Sequence, residues 1–86
     1  MQEITLLVLF DIPSNRLRNK IIEKCKDYGL FRIQRSCFKG SLPVSMKSQF
    51  LHDLKELAGS HEAAIIVQPV CSKCLKGTFF IENPAK

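Results

Sequence analysis

The apolar positions of the chain follow two spacings, and each change of spacing marks a new element. Residues Ile4 to Phe10 form a β-branched and aliphatic run that is too short for a helix and nearly continuous, which is typical of a strand covered on both faces. After Pro13 the apolar side chains recur at helical spacing, with Ser14 in the N-cap position and Gly29 where a left-handed residue ends a helix. The pattern therefore predicts a central strand followed by a helix over roughly Asn15 to Tyr28.

The segment 30–40 alternates as a strand, but its apolar positions change face about half-way along. That change predicts a bend or bulge near Arg35 and Ser36, which would divide the segment into two strands. Gly40 and Pro43 then predict a turn before the next element.

The second half of the chain repeats the order of helix and strand. A helix is predicted from about Ser45 to Ala58. Its inner stripe consists of Met46, Phe50, Leu54 and Leu57. Residues 63–70 resemble another covered strand, whose pairing is expected to stop at Pro69 because proline has no N–H to donate. A short terminal strand is predicted within residues 78–82, at Thr78 to Ile81.

These elements predict an α+β fold. If the middle segment is two strands, the order becomes βαββαβ, a ferredoxin-like sandwich with a short extra C-terminal strand. The 86 residues leave room for a single domain, 1–86. Two helices are too few to cover both faces of such a sheet, so we expect a homodimer formed through the open face. Because no apolar run approaches the roughly 18 to 20 residues of a membrane span and the start lacks signal-peptide features, we expect a cytoplasmic protein.

The charge of the chain favours an anionic partner. Lysine and arginine number 13 against 8 acidic residues, which gives a formal net charge of +5. Arg16 and Arg18 lie in the first turn of the first helix, where the macrodipole disfavours cations by about 0.3 to 1 kcal/mol, so their placement suggests phosphate binding. The full candidate set for nucleic-acid binding is Arg16, Arg18, Lys20, Arg32, Arg35 and Lys39. An ordinary solvated face is the alternative.

Asp11 ends the first strand, and three interpretations of it are open. It can cap the helix, although Ser14 is better placed; it can be a solvated strand-end residue; or it can bind a metal or face a phosphate at the carboxyl end of the strand. Magnesium is commonly held by one or two carboxylates plus waters. No second carboxylate stands at motif spacing, so a metal site is expected only where a dimer brings two copies of Asp11 together.

The cysteines and histidines suggest no covalent catalysis. Cys71 and Cys74 form a C-x2-C pair, which is half of a zinc site, and a dimer joining two such pairs is an open alternative. Cys25 and Cys37 fall on packing positions, and all four are expected to be thiols in a reducing compartment. His61 is interpreted as a cation just beyond the end of the second helix.

Three stretches together resemble a known family. "LVLFDIPSNRLRNK", "DYGLFRIQRSCFKG" and "IIVQPVCSKC", in this order, are similar to the CRISPR-associated protein 2 family, small subunits of the machinery that inserts new spacers into CRISPR arrays. The resemblance implies a ferredoxin-like fold and a homodimer. It also implies that the terminal strand, here Thr78 to Ile81, adds to the sheet of the partner subunit.

The resemblance further implies what the protein does. Some members are metal-dependent phosphodiesterases on RNA or DNA, in which the aspartate after the first strand, here Asp11, holds Mg²⁺ between the two chains. Phe10 stands where the family often has tyrosine. The other implied partner is the CRISPR integrase subunit, with the dimer bridging two integrase dimers along double-stranded DNA.

Three hypotheses follow. The first is an adaptation subunit whose dimer binds duplex DNA through its arginines and lysines. The second is a magnesium-dependent endonuclease with paired Asp11 carboxylates. The third is a stand-alone basic dimer of ferredoxin-like fold that binds RNA without catalysis.

Overall fold

A computed structural model describes residues 2–83 of the chain. Within them the elements follow the order β1 Glu3–Asp11, α1 Asn15–Asp27, β2 Phe31–Gln34, β3 Cys37–Pro43, a 3-10 helix Val44–Met46, α2 Lys47–Ala58, β4 Ala64–Val70 and α3 Ser72–Lys76. The four strands and the first two α-helices follow the βαββαβ order that the sequence predicts. The short helix α3 is an addition, where the sequence predicted only a tight connection.

The strands form one antiparallel sheet in the order β2-β3-β1-β4. This is the split βαβ arrangement of the ferredoxin-like fold, and β1 is a central strand as expected. The predicted bend is confirmed, because a turn at Arg35 and Ser36 separates β2 from β3. The register of β2 against β3 also shifts between Arg32 and Gln34.

Side chains alternate across β1, and only one of its faces is covered within the chain. Leu6, Val8 and Phe10 are buried in the core. They pack with the buried residues of both helices, Leu17, Ile21, Cys25, Phe50 and Leu54. Leu9 points the other way and is 39% exposed. The expectation that β1 and β4 are covered on both faces is therefore wrong for a single chain, because α1 and α2 pack on the same side of the sheet.

Gly40 and Pro69, which the sequence predicts to lie in a turn and to end strand pairing, are both strand residues in the structure. Gly40 lies inside β3 opposite Leu6, and a Cβ at this position would come within 2.8 Å of the Cα of Leu30. Glycine is used here for a close backbone approach rather than for a turn. Pro69 remains paired opposite Leu6, and β4 continues to Val70. Proline is tolerated because β4 is an edge strand of the sheet.

The start of the second helix also differs from its prediction. Residues Val44–Met46 form a 3-10 helix, and α2 begins only at Lys47. A 3-10 turn has about 3.0 residues per turn, so the helical phase changes there and Met46 leaves the inner stripe. Met46 is 43% exposed, whereas Phe50 and Leu54 are buried as predicted.

The segment that follows α3 forms no strand within the described part of the chain. Phe79, Phe80 and Ile81 are all largely exposed, Phe79 by 85%. The predicted terminal strand therefore has no pairing inside its own chain, and its pairing with a partner stays a prediction. Across residues 2–83, no helix has both the length and the apolar composition that crossing a membrane requires.

A hydrogen bond between Tyr28 and Asp53 ties the end of α1 to α2. The Tyr28 hydroxyl donates to Oδ2 of Asp53 at 2.7 Å, and Nε2 of Gln49 donates to Oδ1 at 2.8 Å. The Tyr28 ring also packs against Phe50, with ring centroids 4.8 Å apart. The bond to Asp53, together with burial and the carboxylate charge, raises the pKa of Tyr28 to about 12. The same bond lowers the pKa of Asp53.

This bond predicts a shifted tyrosine titration that is directly measurable. Tyr28 is the single tyrosine and there is no tryptophan, so the ultraviolet absorbance of tyrosinate reports this residue alone. Since the bond stabilises the protonated phenol only in the folded state, its contribution is complete below pH about 10 and is lost as the pH rises through the folded value. We expect a midpoint near 12 while circular dichroism shows folded protein, and a lower midpoint in Asp53→Asn. A wild-type midpoint near 10 that Asp53→Asn leaves unchanged would contradict the bond.

Candidate nucleic-acid interface and metal site

Asp11 is exposed at the carboxyl end of β1, opposite Ala64 of β4. By the alternation of β1 it shares the open face of the sheet with Leu7 and Leu9. The helix-cap interpretation is excluded, because Oγ of Ser14 accepts the hydrogen bond from the Leu17 N–H at 3.1 Å. The Asp11 carboxylate is therefore free to bind a ligand.

A second acid lines the same surface depression as Asp11. Glu62 lines a shallow depression of about 180 Å³ together with Asp11, Pro13 and Ala63. The sequence shows no second carboxylate at motif spacing, and Glu62 becomes a candidate second ligand only through the fold. Glu62 stands two residues before the start of β4 at Ala64, so the antiparallel pairing of β4 with β1 brings it to the Asp11 end. Only the pairing register of β4 against β1 could have revealed the position of Glu62, and residue spacing along the sequence does not give that register.

The donor set suits magnesium better than zinc. Two carboxylates leave most coordination positions to water, which is how Mg²⁺ is commonly bound. Among residues 2–83, no group of three or more histidine, cysteine, aspartate or glutamate side chains could hold an ion. Asp11 and Glu62 therefore fit a hydrated Mg²⁺, with no third histidine, cysteine or acid joining them in the described part of the chain.

Arg18 is held beside the end of β1. Its guanidinium donates to the carbonyl oxygen of Ile12 at 3.4 Å and to Oδ1 of Asn15. Both bonds fold the side chain back over the loop that joins β1 to α1. Arg18 therefore lies over the loop that directly follows Asp11 and holds this loop in its conformation.

Arg16 and Lys20 line a separate pocket of about 290 Å³ with Ser14 and His61. Nδ1 of His61 lies 3.2 Å from the carbonyl oxygen of Ala58, the last residue of α2. Since a carbonyl oxygen only accepts, Nδ1 carries the proton and donates it. His61 thus lies just beyond the end of α2 as expected, but sequence reasoning missed that it joins the basic residues of α1. We call the set Arg16, Lys20 and His61 the basic pocket.

The remaining predicted cations lie in different parts of the sheet. The turn that carries Arg35 lies at the Asp11 end, because the Phe10 N–H donates to the Ser36 carbonyl oxygen at 3.0 Å. Arg32 lies further along β2, with its guanidinium carbon 5.5 Å from the centroid of the Phe38 ring. Lys39 is half-buried in the open face, opposite Leu7 and Phe31. Four of the six predicted residues therefore lie toward the end of the sheet where β1 ends, Arg16 and Lys20 in their own pocket, and Arg32 and Lys39 lie apart.

A ferredoxin-like domain with paired carboxylates beside basic side chains at one end of its sheet is suited to contact phosphates. The chain belongs to the CRISPR associated protein Cas2 family, whose model matches residues 4–78. This assignment confirms the resemblance that the sequence motifs indicate.

Relatives and solved structures agree with this assignment. The chain is 36% identical over 79 residues to the CRISPR-associated endoribonuclease Cas2 of Desulforudis audaxviator, covering 92% of this chain and 74% of the relative. It is 32% identical over 62 residues to a CRISPR-associated endonuclease Cas1/endonuclease Cas2 fusion of Thermoproteus tenax, covering 72% of this chain and 24% of the fusion. Among solved structures, Streptococcus pyogenes Cas2 superposes with a TM-score of 0.78 at 18% identity, covering 91% of this chain and 99% of that one, which supports the fold.

Proposed function

We propose that this chain is a CRISPR adaptation subunit whose homodimer binds nucleic acid and bridges integrase subunits during spacer acquisition. The observation that carries the proposal is the clustering of Arg16, Arg18, Lys20 and Arg35 at the Asp11 end of the sheet. The Thermoproteus tenax relative, in which Cas1 and Cas2 are one chain, supports the integrase as a partner.

Duplex DNA is the nucleic acid that we propose for this surface. Guanidinium and ammonium groups recognise phosphates by charge, so binding through them is largely independent of base sequence and falls steeply with salt. Phe10 and Phe38 are buried in the core, and the exposed rings of Phe31, Phe79 and Phe80 lie on surfaces that we assign below to the dimer, which disfavours recognition of a single strand by base stacking. Arg32 and Lys39 are not part of the proposed surface, because Lys39 is half-buried in the open face opposite Leu7 and Phe31, and Arg32 lies over the Phe38 ring. Single-stranded RNA is the second candidate ligand.

We propose that the dimer forms through the open face of the sheet. Leu9, Phe31 and Ile66 are exposed there, and contiguous apolar surface of this kind is typical of an interface. Covering the face with a second copy would bury these side chains and place Asp11 at the rim of the interface. The segment Thr78 to Ile81 would then pair with the partner's sheet, which accounts for the exposure of its aromatic residues.

Magnesium-dependent cleavage of a phosphodiester is the second proposed property, and the name of the Desulforudis audaxviator relative favours RNA as its substrate. Bound Mg²⁺ supplies an activated water and stabilises charge on the scissile phosphate. Asp11 and Glu62 would hold the ion, and Arg18 would orient the phosphate beside it. Phe10 has no hydroxyl, so no phenol takes part at that position.

The DNA-binding proposal predicts the effect of removing two cations from the basic pocket. Arg16→Ala combined with Lys20→Ala should weaken duplex binding and make the plot of log affinity against log salt shallower by about 2, because about one counterion is lost per phosphate contact. This pair is preferred to Arg18→Ala, since Arg18 also holds the β1–α1 loop. Fluorescence anisotropy over a salt series measures both quantities.

The matched control removes the same charge elsewhere. Lys26→Ala with Lys55→Ala acts on exposed lysines near the C-terminal ends of α1 and α2. We expect this variant to keep the wild-type salt slope. Equal slopes for the two double variants would remove the basic pocket from the DNA-binding surface.

The cleavage proposal predicts a graded loss of activity. Asp11→Asn should abolish magnesium-dependent cleavage, and Glu62→Gln should raise the Mg²⁺ concentration needed for half-maximal rate, because one of two proposed ligands is lost. Glu23→Gln, an exposed acid on α1, is the control and should behave as wild type. Rates are measured on a labelled single-stranded RNA. Undiminished cleavage by purified Asp11→Asn would show that the activity comes from another site or a contaminant.

A further inference from the structure

The four cysteines divide into a buried and an exposed pair. Cys25 is fully buried and Cys37 is 9% exposed, and burial raises the pKa of both thiols, that of Cys25 to about 11. Cys71 and Cys74 are exposed at the start of α3. Nothing in the proposed nucleic-acid or metal sites uses this second pair, so its role needs its own explanation.

The Cys71 sulfur caps the first turn of α3 and is in contact with the backbone of Cys74. Sγ of Cys71 accepts a hydrogen bond from the Cys74 N–H at 3.4 Å, which folds the Cys71 side chain across the first turn of α3. The backbone and thiol of Cys74 both donate to Cys71 and lower its pKa, and the thiol contact raises the pKa of Cys74. One sulfur therefore loses its proton more readily while the neighbouring sulfur keeps its own. This difference is the arrangement that thiol–disulfide exchange uses.

We propose that Cys71 and Cys74 form a reversible intrachain disulfide by exchange with a low-molecular-weight disulfide. The Cys71 thiolate attacks one sulfur of the small disulfide, forms a mixed disulfide and releases one small thiolate. Cys74 then loses its proton to solvent and attacks Sγ of Cys71, which releases the second small thiolate. The two cysteines are oxidised to one disulfide, and the small disulfide is reduced to two thiols.

A disulfide fits this pair better than a metal ion does. Disulfides need Cα atoms about 4.4 to 6.8 Å apart, a range that residues three apart in one helical turn meet. A structural zinc site needs four ligands, and no third cysteine, histidine or acid joins the pair within residues 2–83. An exposed disulfide that closes so small a ring is also readily reduced, which makes it reversible.

The bond would act at the connection between β4 and the terminal segment. Cys71 directly follows β4, and the Thr78 N–H donates to the Leu75 carbonyl oxygen at 3.0 Å at the end of α3. The disulfide closes a ring around Ser72 and Lys73 and so fixes the first turn of α3. Oxidation therefore acts on the helix that joins β4 to the exposed segment with Phe79 and Phe80.

The test counts thiols in the folded protein with a coloured thiol reagent. Reduced wild type should show two fast-reacting thiols of its four. After incubation with glutathione disulfide and removal of the small thiols, no fast thiol should remain, two should appear on unfolding, and the intact mass should fall by two hydrogen atoms. Cys71→Ser with Cys74→Ser is the control, because serine keeps the helix cap; it should show no fast thiol and no change of mass.

Single variants test the order of attack. Cys74→Ser should retain one glutathione adduct on Cys71, since the resolving thiol is absent, and Cys71→Ser should react at least several-fold more slowly. A wild-type chain that keeps four free thiols, carries two adducts or becomes covalently dimeric would overturn the proposal. It would also be overturned if Zn²⁺ bound at one ion per two chains and protected both thiols from the oxidant.

Discussion

The side-chain alternation of β1 is the constraint on which the rest of the structure depends. Leu6, Val8 and Phe10 are buried by the two helices, and this fixes the register of β1 against both neighbours. Because the alternation has a period of two, Leu9 and Asp11 must lie on the opposite face. A shift of one residue would bury the Asp11 carboxylate in the core. The position of the candidate site thus follows from the packing of the core.

The same register gathers the chemistry of the chain at one end of the sheet. Three connections meet there: the loop from β1 to α1, the turn with Arg35, and the residues that lead into β4 at Glu62. Carboxylates and cations that are far apart in sequence therefore lie at the same end of the sheet. Within that end their positions differ, because Arg18 is bound to the loop that follows β1 while Arg16 lines the basic pocket.

Local patterns predicted the elements whose residues are close in sequence. Helix α1, its Ser14 cap and the turn at Arg35 depend on spacing and capping within a few residues, and each was predictable. The role of Gly40 was not predictable, because it allows a close approach to Leu30, the residue just before β2, which only the fold brings near. The contribution of Glu62 likewise depends on the pairing of β4 with β1. Such contacts depend on the pairing register between distant strands, and residue spacing within one segment does not predict that register.

The exposed apolar side of the sheet connects the fold to the proposed function, because Asp11 lies at the end of that side. Sedimentation equilibrium of the wild type and of Ile66→Lys tests the connection most directly, since Ile66 is 59% exposed and a lysine there should not disturb the core. We expect the wild type at twice the mass of the 86-residue chain and Ile66→Lys at the mass of one chain. The control is Val44→Lys, which changes an exposed residue of the 3-10 helix and should remain a dimer. A wild type that remains monomeric at all concentrations, or an Ile66→Lys that remains dimeric, would contradict an interface on this face.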